Sequence, residues 1–261
     1  MERMKGKVAV IVGGASGFGY ACAKIFAAEG AEIVIAGRRG ALATETANEF
    51  NGLGVSWDVT DFEQGKRAQE EVMAKYGRID AAINFAGYDD VRTIREITPD
   101  HLEPMVNVQF NGAIYFLRFM CNAMADSGGG SAILCSSLTA HNPNVGRVGY
   151  AGSKAGLEYV AKLAAVEYGH DQVRVNCIAP HVIETEMTSD IFKIPFAVLS
   201  FLLVQLGGAV WFASQLESRV STLETKSLKI AEQNRKFLVN EVIPAFKRDN
   251  WLGQSWKNEH F

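Results

Sequence analysis

Three side chains in the middle of the sequence have the types and spacing needed to move a proton to a substrate oxygen. Tyr150 and Lys154 are four residues apart, which places them one turn from each other on one face of a helix. A nearby ammonium favours the phenolate form of tyrosine and lowers its pKa. Ser137 follows an apolar run and can donate a hydrogen bond to a carbonyl oxygen that gains negative charge. Each feature also occurs by chance, since a serine after a strand is commonly a turn or cap residue.

A glycine-rich turn follows the first apolar run of the chain and precedes a helical pattern. It has the form G-x-x-x-G-x-G, and its predicted cofactor contacts are Gly13, Ser16, Gly17, Phe18 and Gly19. Glycines let the backbone approach a pyrophosphate, and the N-terminus of the helix offers free N–H groups and the positive end of its dipole. The turn predicts a dinucleotide site, although such a turn can also be purely structural.

The end of the second predicted strand indicates which dinucleotide is bound. A site selective for NAD has an acidic residue about 20 residues after the glycine turn, whereas this chain has Arg38 and Arg39 there. Guanidinium groups suit a 2′-phosphate, so NADP(H) is favoured over NAD(H), with two solvated surface arginines as the alternative. Asp58, after the third strand, could accept a hydrogen bond from the adenine amino group or cap the helix that starts at 60–62.

The elements that must position these residues alternate along the chain, and this alternation predicts βαβ units and a parallel sheet. The predicted strands cover residues 8–12, 32–36, 54–57, 81–84, 132–135 and 173–178, and the predicted helices cover 17–29, 41–51, 62–76, 107–124 and 149–168. Because the strands are almost continuously apolar, we expect helices on both faces. We therefore predict an α/β fold, a doubly wound parallel sheet of Rossmann type, with ligands at the carboxyl ends of the strands.

Composition and charge exclude several other classes of protein. The chain has 261 residues, 48% hydrophobic and 21% charged, which is enough for a substantial core. The net charge of −3 offers no basic surface to nucleic acid. The four cysteines are scattered and no histidines have zinc spacing, so we expect no metal, no disulfide framework and a reducing, cytoplasmic location. Residues 1–7 are charged and do not begin a secretory signal.

The order of the motifs resembles that of the short-chain dehydrogenase/reductase family. The resemblance covers about residues 6–189 and rests on the glycine turn, Asp58-Val59, Asn84-Phe85-Ala86-Gly87, Ser137, Tyr150-x-x-x-Lys154 and Arg174-Val175-Asn176-x-Ile178-x-Pro180. It implies a Rossmann-type fold and hydride transfer between a nicotinamide cofactor and a carbonyl or alcohol. By this resemblance Tyr150 would be the general acid/base, Ser137 would hold the substrate oxygen, and Lys154 would lower the pKa of the tyrosine and bond the nicotinamide ribose.

The resemblance also implies further site residues. The additional residues expected at the cofactor are Val59, Asn84, Ala86, Gly87, Pro180, Ile183 and Thr185, together with Tyr150 and Lys154. Val12, Phe85 and His181 depart from the family pattern in the loops. Gln109 stands where the family has a catalytic asparagine that supports a water-linked proton relay to the lysine. Gln109 is therefore the predicted fourth catalytic residue, with a side chain one methylene longer.

After residue 194 the sequence no longer follows the family pattern. We predict a dinucleotide-binding and catalytic domain over residues 1–193 and an atypical helical region over 194–261. Residues 196–216 contain no charged side chain, and apolar residues recur at coiled-coil spacing over 217–243. Three interpretations stay open: a substrate lid with a buried helix, a membrane anchor followed by a short coil, or a fusion that has lost the end of the family fold.

Taken together, the residues predict an NADP(H)-dependent carbonyl reductase or alcohol dehydrogenase acting on a small apolar or ring-bearing substrate. The residues expected near that substrate are Tyr88, Leu138, Val145, Phe192 and Phe196. A homodimer through helices 107–124 and 149–168 is expected, with a tetramer as the alternative. Membrane association through 196–216 is an alternative that is not favoured, and no nucleic-acid partner is expected. The rival function is a cofactor-binding protein with impaired catalysis and a membrane or interaction tail.

Overall fold

The computed structural model describes residues 2–181, and these contain a six-stranded parallel sheet. Its strands are β1 (Val8–Val12), β2 (Glu32–Gly37), β3 (Leu53–Ser56), β4 (Ala81–Asn84), β5 (Gly130–Cys135) and β6 (Val173–Ile178). They lie in the order β3-β2-β1-β4-β5-β6, and every neighbouring pair is parallel. The predicted α/β fold with a doubly wound sheet of Rossmann type is confirmed.

Helices connect successive strands, because a parallel connection must return to the other end of the sheet. They are α1 (Gly17–Ala28), α2 (Gly40–Asn48), α3 (Phe62–Tyr76), α4 (Pro99–Val106), α5 (Gly112–Asp126) and α6 (Val148–Tyr168). A π-helical turn, Asn107–Asn111, joins α4 to α5. Short 3-10 turns cover Leu138–Ala140 and Gly169–Asp171.

Two hydrophobic clusters pack the helices against the two faces of the sheet. Side chains alternate across a strand, so Val8, Val10 and Val12 of β1 belong to one cluster. Ala9 and Ile11 belong to the other. The first cluster includes residues of α3, α5 and α6, and the second includes residues of α1 and α2. Burial on both faces explains why the strands are apolar throughout.

The strand order reverses at β1, and this reversal determines where the loops meet. β1 pairs with β2 on one side and with β4 on the other. Val12, at the carboxyl end of β1, lies opposite both Ala36 and Asn84. Connections that leave in opposite directions open a crevice at this edge, which is the usual ligand site of such sheets.

The structure differs from the predicted elements mainly between β4 and β5. The helix predicted over 107–124 belongs to a longer helical run that begins at Pro99, passes through the π-helical turn and ends at Asp126. Thr98 is its N-cap residue and Pro99 its first residue, a combination typical of helix starts. β3 begins and ends one residue earlier than the predicted 54–57.

Several predictions lie outside the described residues. The boundary between 1–193 and 194–261, the apolar helix 196–216 and the coil 217–243 all fall beyond residue 181, and so do the lid, anchor and fusion interpretations. Ile183, Thr185, Phe192 and Phe196 lie there as well. Over residues 2–181, no helix combines the length and the apolar character needed to cross a membrane.

Candidate active site

The turn between β1 and α1 has little space for side chains at Gly13, Gly14 and Gly19. Gly13 has a φ of +75°, and its N–H donates to the Ala36 carbonyl at 2.8 Å. A Cβ on Gly13 would lie 3.1 Å from the backbone nitrogen of Ala86. A Cβ on Gly19 would overlap the carbonyl oxygen of Gly13. The turn therefore requires glycines, and they leave its backbone bare for close approach by a phosphate group.

The N-terminus of α1 offers unpaired backbone donors at the same edge. Ser16 is the N-cap residue in extended conformation, and within the described residues its side chain makes no capping hydrogen bond. Gly17 begins the helix with a φ of +51°. Phe18 stacks on Phe85 of the turn after β4, with ring centroids 6.1 Å apart. Free N–H groups and the positive end of the helix dipole suit an anion, so the turn fits the pyrophosphate of a dinucleotide.

Two arginines follow β2 at the edge where the glycine turn lies. Arg38 and Arg39 are both exposed. The preceding residues of β2 are next to the glycine turn, because Ala36 pairs with Val12. Gly40 then begins α2 close to Ser56, where a Cβ would lie 2.8 Å from the Ser56 Cβ. The two arginines therefore lie in the connection between β2 and α2, one strand away from the glycine turn.

The hydrogen bonds in the segment after β3 test one of the two alternatives for Asp58, its role as a helix cap. The Asp58 Oδ1 accepts hydrogen bonds from the backbone N–H and the hydroxyl of Thr60, at 3.0 and 2.8 Å. The cap of α3 is instead Asp61, whose carboxylate accepts from the N–H of Gln64 at 2.9 Å. Asp58 is therefore not the helix cap, and it shapes the turn that precedes Asp61. Val59 is buried in the core.

The end of β4 and the turn after it contain three residues that are predicted to contact the cofactor, Asn84, Ala86 and Gly87. Asn84 is buried at the end of the strand, and its Oδ1 accepts from the N–H of Ala86 at 2.9 Å. A Cβ on Gly87 would lie 2.7 Å from the Oε1 of Gln109. The backbone of this turn therefore bends tightly beside the glycine turn of β1, with Gln109 packed against it.

Gln109 lies in the π-helical turn and is only 2% exposed. Its Nε2 donates to the carbonyl of Tyr88 at 2.5 Å. Its Oε1 is buried without a hydrogen-bond partner within residues 2–181. Buried polar atoms normally have a partner, and π-helical turns frequently occur at functional sites. This oxygen is therefore an acceptor that a further group at the site could use.

Lys154 is anchored between the end of β5 and the Tyr150 ring. Its Nζ donates to the Cys135 carbonyl at 2.6 Å and lies 5.6 Å from the centre of the Tyr150 ring. Lys154 is 5% exposed, and this burial lowers the pKa of its ammonium below the ordinary value. The two side chains share one helix face, as their spacing predicts.

Tyr150 has a pKa shifted in the direction opposite to the expected one. Burial raises the pKa of its phenol, and a hydrogen bond with the Ser137 side chain opposes this rise without cancelling it. The net shift of this pKa is upward and the Lys154 ammonium donates to the Cys135 carbonyl, so the lowering of the tyrosine pKa by Lys154 stays a prediction. The Ser137 Oγ also accepts from the Thr139 hydroxyl at 2.9 Å.

The ends of β5 and β6 bring the remaining residues to this edge. The N–H of Ser136 donates to the Ile178 carbonyl at 2.7 Å, and that of Leu138 donates to the Pro180 carbonyl at 3.1 Å. The segment that carries Ser137 therefore runs beside the extension of β6. Most of the described residues predicted for the site lie at strand ends, follow them, or lie in the first turn of a helix: Gly13, Ser16, Gly17, Phe18, Gly19, Arg38, Arg39, Asp58, Val59, Asn84, Ala86, Gly87, Ser137, Tyr150 and Pro180. Gln109 lies in the π-helical turn, and Lys154 lies in the second turn of α6.

Two contacts at this edge were not predicted from the sequence. The Glu158 carboxylate accepts from the Ser136 hydroxyl at 2.5 Å, directly before Ser137. Arg147, in the loop before α6, forms an ion pair with Asp89 in the loop after β4. Glu158 lies four residues after Lys154, so the helical spacing in the sequence already indicates that the two side chains share one face of α6. The sequence gives no sign of the ion pair between Arg147 and Asp89, because only the fold brings the two loops together.

Comparison with known proteins identifies the family to which this site belongs. Residues 7–194 match the family model described as short chain dehydrogenase, which is more than two thirds of the chain. The chain therefore belongs to the short-chain dehydrogenase/reductase family and is an oxidoreductase of that family. The resemblance seen in its motifs is confirmed.

Curated relatives and solved structures agree with this assignment. A 3-oxoacyl-(acyl-carrier-protein) reductase of Thermotoga maritima is 34% identical over 191 residues, 71% of this chain and 78% of the relative. A D-threitol dehydrogenase of Mycolicibacterium smegmatis is 32% identical over 190 residues, 71% of this chain and 73% of the relative. A short-chain type dehydrogenase/reductase structure from Mycobacterium ulcerans is 28% identical with a TM-score of 0.69, covering 73% of both chains.

Proposed function

We propose that the protein interconverts a carbonyl and an alcohol by hydride transfer with NADP(H), with Tyr150 as the general acid/base. The observation that carries this proposal is the grouping of a phenol, a hydroxyl and a buried ammonium at the carboxyl end of β5, the same side of the sheet as the glycine turn. The Ser137 side chain acts to lower the pKa of the Tyr150 phenol, and the Lys154 Nζ lies 5.6 Å from the centre of the tyrosine ring. Two curated relatives are a reductase and a dehydrogenase by name, which supports the reaction class.

The residues at the sheet edge fit a nicotinamide dinucleotide. The turn at Gly13 and the uncapped start of α1 suit the pyrophosphate, and Arg38 with Arg39 suits the 2′-phosphate of NADP(H). Further contacts to the cofactor are proposed from Asp58, Val59, Asn84, Ala86, Gly87, Tyr150, Lys154, Pro180, Ile183 and Thr185. Binding of NAD(H) instead would require the two arginines to stay solvated.

The chain's own residues would perform the proton transfer. When bound, the nicotinamide supplies or accepts the hydride. In the reducing direction, Ser137 donates a hydrogen bond to the carbonyl oxygen as negative charge develops there. Tyr150 transfers its phenolic proton to that oxygen and is left as phenolate, and the reverse transfer accompanies oxidation. Lys154 gives this phenolate a neighbouring positive charge.

Gln109 remains the proposed fourth catalytic residue. Its amide nitrogen is committed to the Tyr88 carbonyl. Its buried Oε1 is the acceptor through which a water-linked proton relay could pass. The altered residue is also what motivates the rival function, a cofactor-binding protein with impaired catalysis.

The experiment that tests the proposed function is the variant Tyr150→Phe, which removes the proton donor and keeps the ring. We expect kcat for NADPH-dependent reduction, measured on a panel of ketones and aldehydes, to fall by about 10² to 10⁴-fold. The affinity for NADPH, measured by titration, should fall by about threefold at most, because the Tyr150 hydroxyl is one of many proposed cofactor contacts. Tyr159→Phe is the matched control and should retain full activity, since Tyr159 lies on the exposed face of the same helix and the change keeps the ring that a dimer contact would use.

Two outcomes of this experiment would contradict the proposal. The first is a Tyr150→Phe variant as active as the wild-type protein. The second is a wild-type protein that binds NADPH and oxidises it with no member of the panel, which would favour the rival function.

For the partners, we propose a small carbonyl or alcohol as substrate and a homodimer formed through α5 and α6. Leu163 and Val166 of α6 are 47% and 82% exposed, so this helix presents apolar surface that a second subunit could cover. Burial in a dimer would remove them from water. Sedimentation at micromolar concentration should show twice the monomer mass, and a monomer would overturn the dimer.

We also propose a cytoplasmic location. The four cysteines, Cys22, Cys121, Cys135 and Cys177, all lie within the described residues and are free. Burial raises the pKa of Cys121 to about 12 and that of Cys22 to about 11. Free thiols kept in their protonated form are typical of proteins in a reducing compartment.

A further inference from the structure

The carboxylate of Glu158 joins the segment around Ser137 to the helix that carries Tyr150 and Lys154. Glu158 lies on α6 one turn after Lys154. Its Oε1 accepts a hydrogen bond from the Ser136 hydroxyl at 2.5 Å. The same oxygen lies 3.1 Å from the Nε2 of His141. One carboxylate oxygen thus contacts both ends of the segment 136–141.

The contact with Ser136 is the stronger of the two. Ser136 is 2% exposed, so its hydroxyl has no access to water as a substitute partner. Its other hydrogen bond, to the Lys154 carbonyl, is longer at 3.4 Å. A hydroxyl that donates to a carboxylate forms a short, charge-assisted bond, roughly twice as strong as a neutral one. Removal of the carboxylate would therefore leave a buried hydroxyl poorly bonded.

The two contacts of Glu158 lie on either side of Ser137, which is a proposed residue of the reaction centre. Ser136 immediately precedes Ser137, and His141 immediately follows the 3-10 turn Leu138–Ala140. Glu158 therefore fixes both sides of Ser137 onto α6, the helix of Tyr150. Catalytic rates depend on placement within about 1 Å, because a small displacement of an oriented group can cost about a hundredfold.

We propose that Glu158 is a positioning residue, which acts through Ser136 and His141 to set the placement of Ser137 relative to Tyr150. This proposal rests on the proposed roles of Ser137 and Tyr150. Among the described residues, Glu158 contacts Ser136 and His141, away from the glycine turn and the arginines after β2, so binding of the pyrophosphate and adenosine parts of the cofactor should not depend on it. Its effect should therefore be larger on kcat than on the KM for NADPH.

The test compares Glu158→Ala, Glu158→Gln and the control Glu167→Gln, a carboxylate in the exposed last turns of the same helix. Two quantities are measured on the full chain: kcat with the KM for NADPH, and amide hydrogen exchange of peptides that cover 136–141. Glu158→Ala should lower kcat about tenfold and speed exchange in 136–141 about tenfold. Glu158→Gln keeps an acceptor oxygen, so both quantities should stay within about threefold of wild type. Glu167→Gln should change neither.

Each other outcome decides against a specific claim. Unchanged exchange in Glu158→Ala overturns the positioning role, because the segment then does not depend on the carboxylate. Faster exchange with an unchanged kcat overturns it too, since the segment would move without effect on the reaction. Equal loss in the Gln and Ala variants overturns the hydrogen-bond argument. Absence of turnover in the wild-type protein contradicts the proposed function, and the exchange measurement then still decides whether Glu158 fixes the segment.

Discussion

The protonation state of Tyr150 determines whether this residue can donate a proton in the reaction. Burial raises the pKa of this phenol, and the hydrogen bond with Ser137 only partly offsets the rise. The neutral phenol is therefore the dominant form at neutral pH. A neutral phenol is a proton donor, as the reduction of a carbonyl requires.

The first residue-scale prediction concerns the titration of this phenol in the cofactor-free protein. A raised pKa favours the protonated form, so the phenolate of Tyr150 should appear only as the pH rises above the ordinary tyrosine value of about 10. Ultraviolet difference titration of wild type against Tyr150→Phe isolates this signal. A midpoint near pH 7 would show that the ammonium of Lys154 outweighs burial.

The second residue-scale prediction concerns Arg38 and the choice of cofactor. Arg38→Ala should weaken NADPH binding by about ten- to a hundredfold and leave NADH binding unchanged, since only NADPH has the phosphate that the guanidinium would pair with. Fluorescence titration with both cofactors measures this. Arg67→Ala, an exposed arginine of α3, is the control. A wild-type protein that binds NADH more tightly than NADPH contradicts the assignment.

The sequence predicted that Tyr150 and Lys154 share one face of a helix, but not the contacts that each of them makes. The spacing of Tyr150 and Lys154 fixes their common helix face whatever surrounds the helix. The bond from Lys154 to the Cys135 carbonyl depends on how α6 packs on β5. Such tertiary contacts leave no local pattern in the sequence, which is why the pKa of Tyr150 was expected to shift the other way.

At the scale of elements, the glycine turn and α1 form one unit whose geometry excludes side chains. Gly19 belongs to the first turn of α1, and its missing Cβ lets the helix approach the backbone of Gly13 and Gly14. The atoms that a Cβ would meet are backbone atoms, which cannot rotate away. Close packing here keeps the start of α1 beside the end of β1.

The element-scale prediction compares two Gly→Ala substitutions. Gly19→Ala should lower the free energy of unfolding by about 2 kcal/mol or more, because its methyl group would collide with backbone. Gly169→Ala should be neutral or stabilise by about 0.5–1 kcal/mol, since Gly169 has a helical φ of −60° and, within residues 2–181, no atom near a new Cβ. Urea unfolding measures both. Equal effects would contradict the close approach at Gly19.

The elements themselves were predictable where local patterns are strong. Apolar β-branched runs predicted every strand of the sheet, because a strand buried on both faces must be apolar throughout. The start of α4 was missed, although Thr98 and Pro99 have the residue types of a helix start. The π-helical turn at Gln109 could not be predicted, since an inserted residue in a helix follows from packing.

In the molecule as a whole, the carboxylate of Asp80 accepts several hydrogen bonds at the amino ends of the strands, on the opposite side of the sheet from the candidate site. Asp80 accepts hydrogen bonds from Lys7 at 2.9 Å, from the N–H of Val8 at 3.0 Å and from Arg78 at 2.5 and 2.8 Å. Burial acts to raise the pKa of this carboxyl, but these bonds outweigh it and the pKa is lowered. The carboxylate thereby ties β1 to the start of β4.

We predict that Asp80 increases the free energy of unfolding at neutral pH and that this contribution is lost at acidic pH. A carboxyl with a lowered folded pKa stabilises above its unfolded pKa of about 3.9, and this contribution is lost as the pH falls through the folded pKa. Asp80→Asn should cost about 2 kcal/mol at pH 7, because its amide NH₂ would face the donors of Lys7 and Arg78.

Urea unfolding from pH 7 down to pH 3 measures this contribution. The gap between wild type and Asp80→Asn should narrow below about pH 4. Asp126→Asn, on the exposed end of α5, should follow wild type throughout. A gap that does not change with pH would show that the charge of Asp80 is not responsible.

Hydride transfer between a nicotinamide and a carbonyl can be followed through the transferred hydrogen itself. NADPH carrying deuterium on one face of C4 of the nicotinamide is incubated with the protein and a reducible ketone, and the alcohol is analysed by mass spectrometry. We predict that the deuterium from one of the two C4 faces appears on the carbinol carbon, and that Tyr150→Phe strongly slows its appearance. An alcohol that forms without deuterium from either face would contradict the claim.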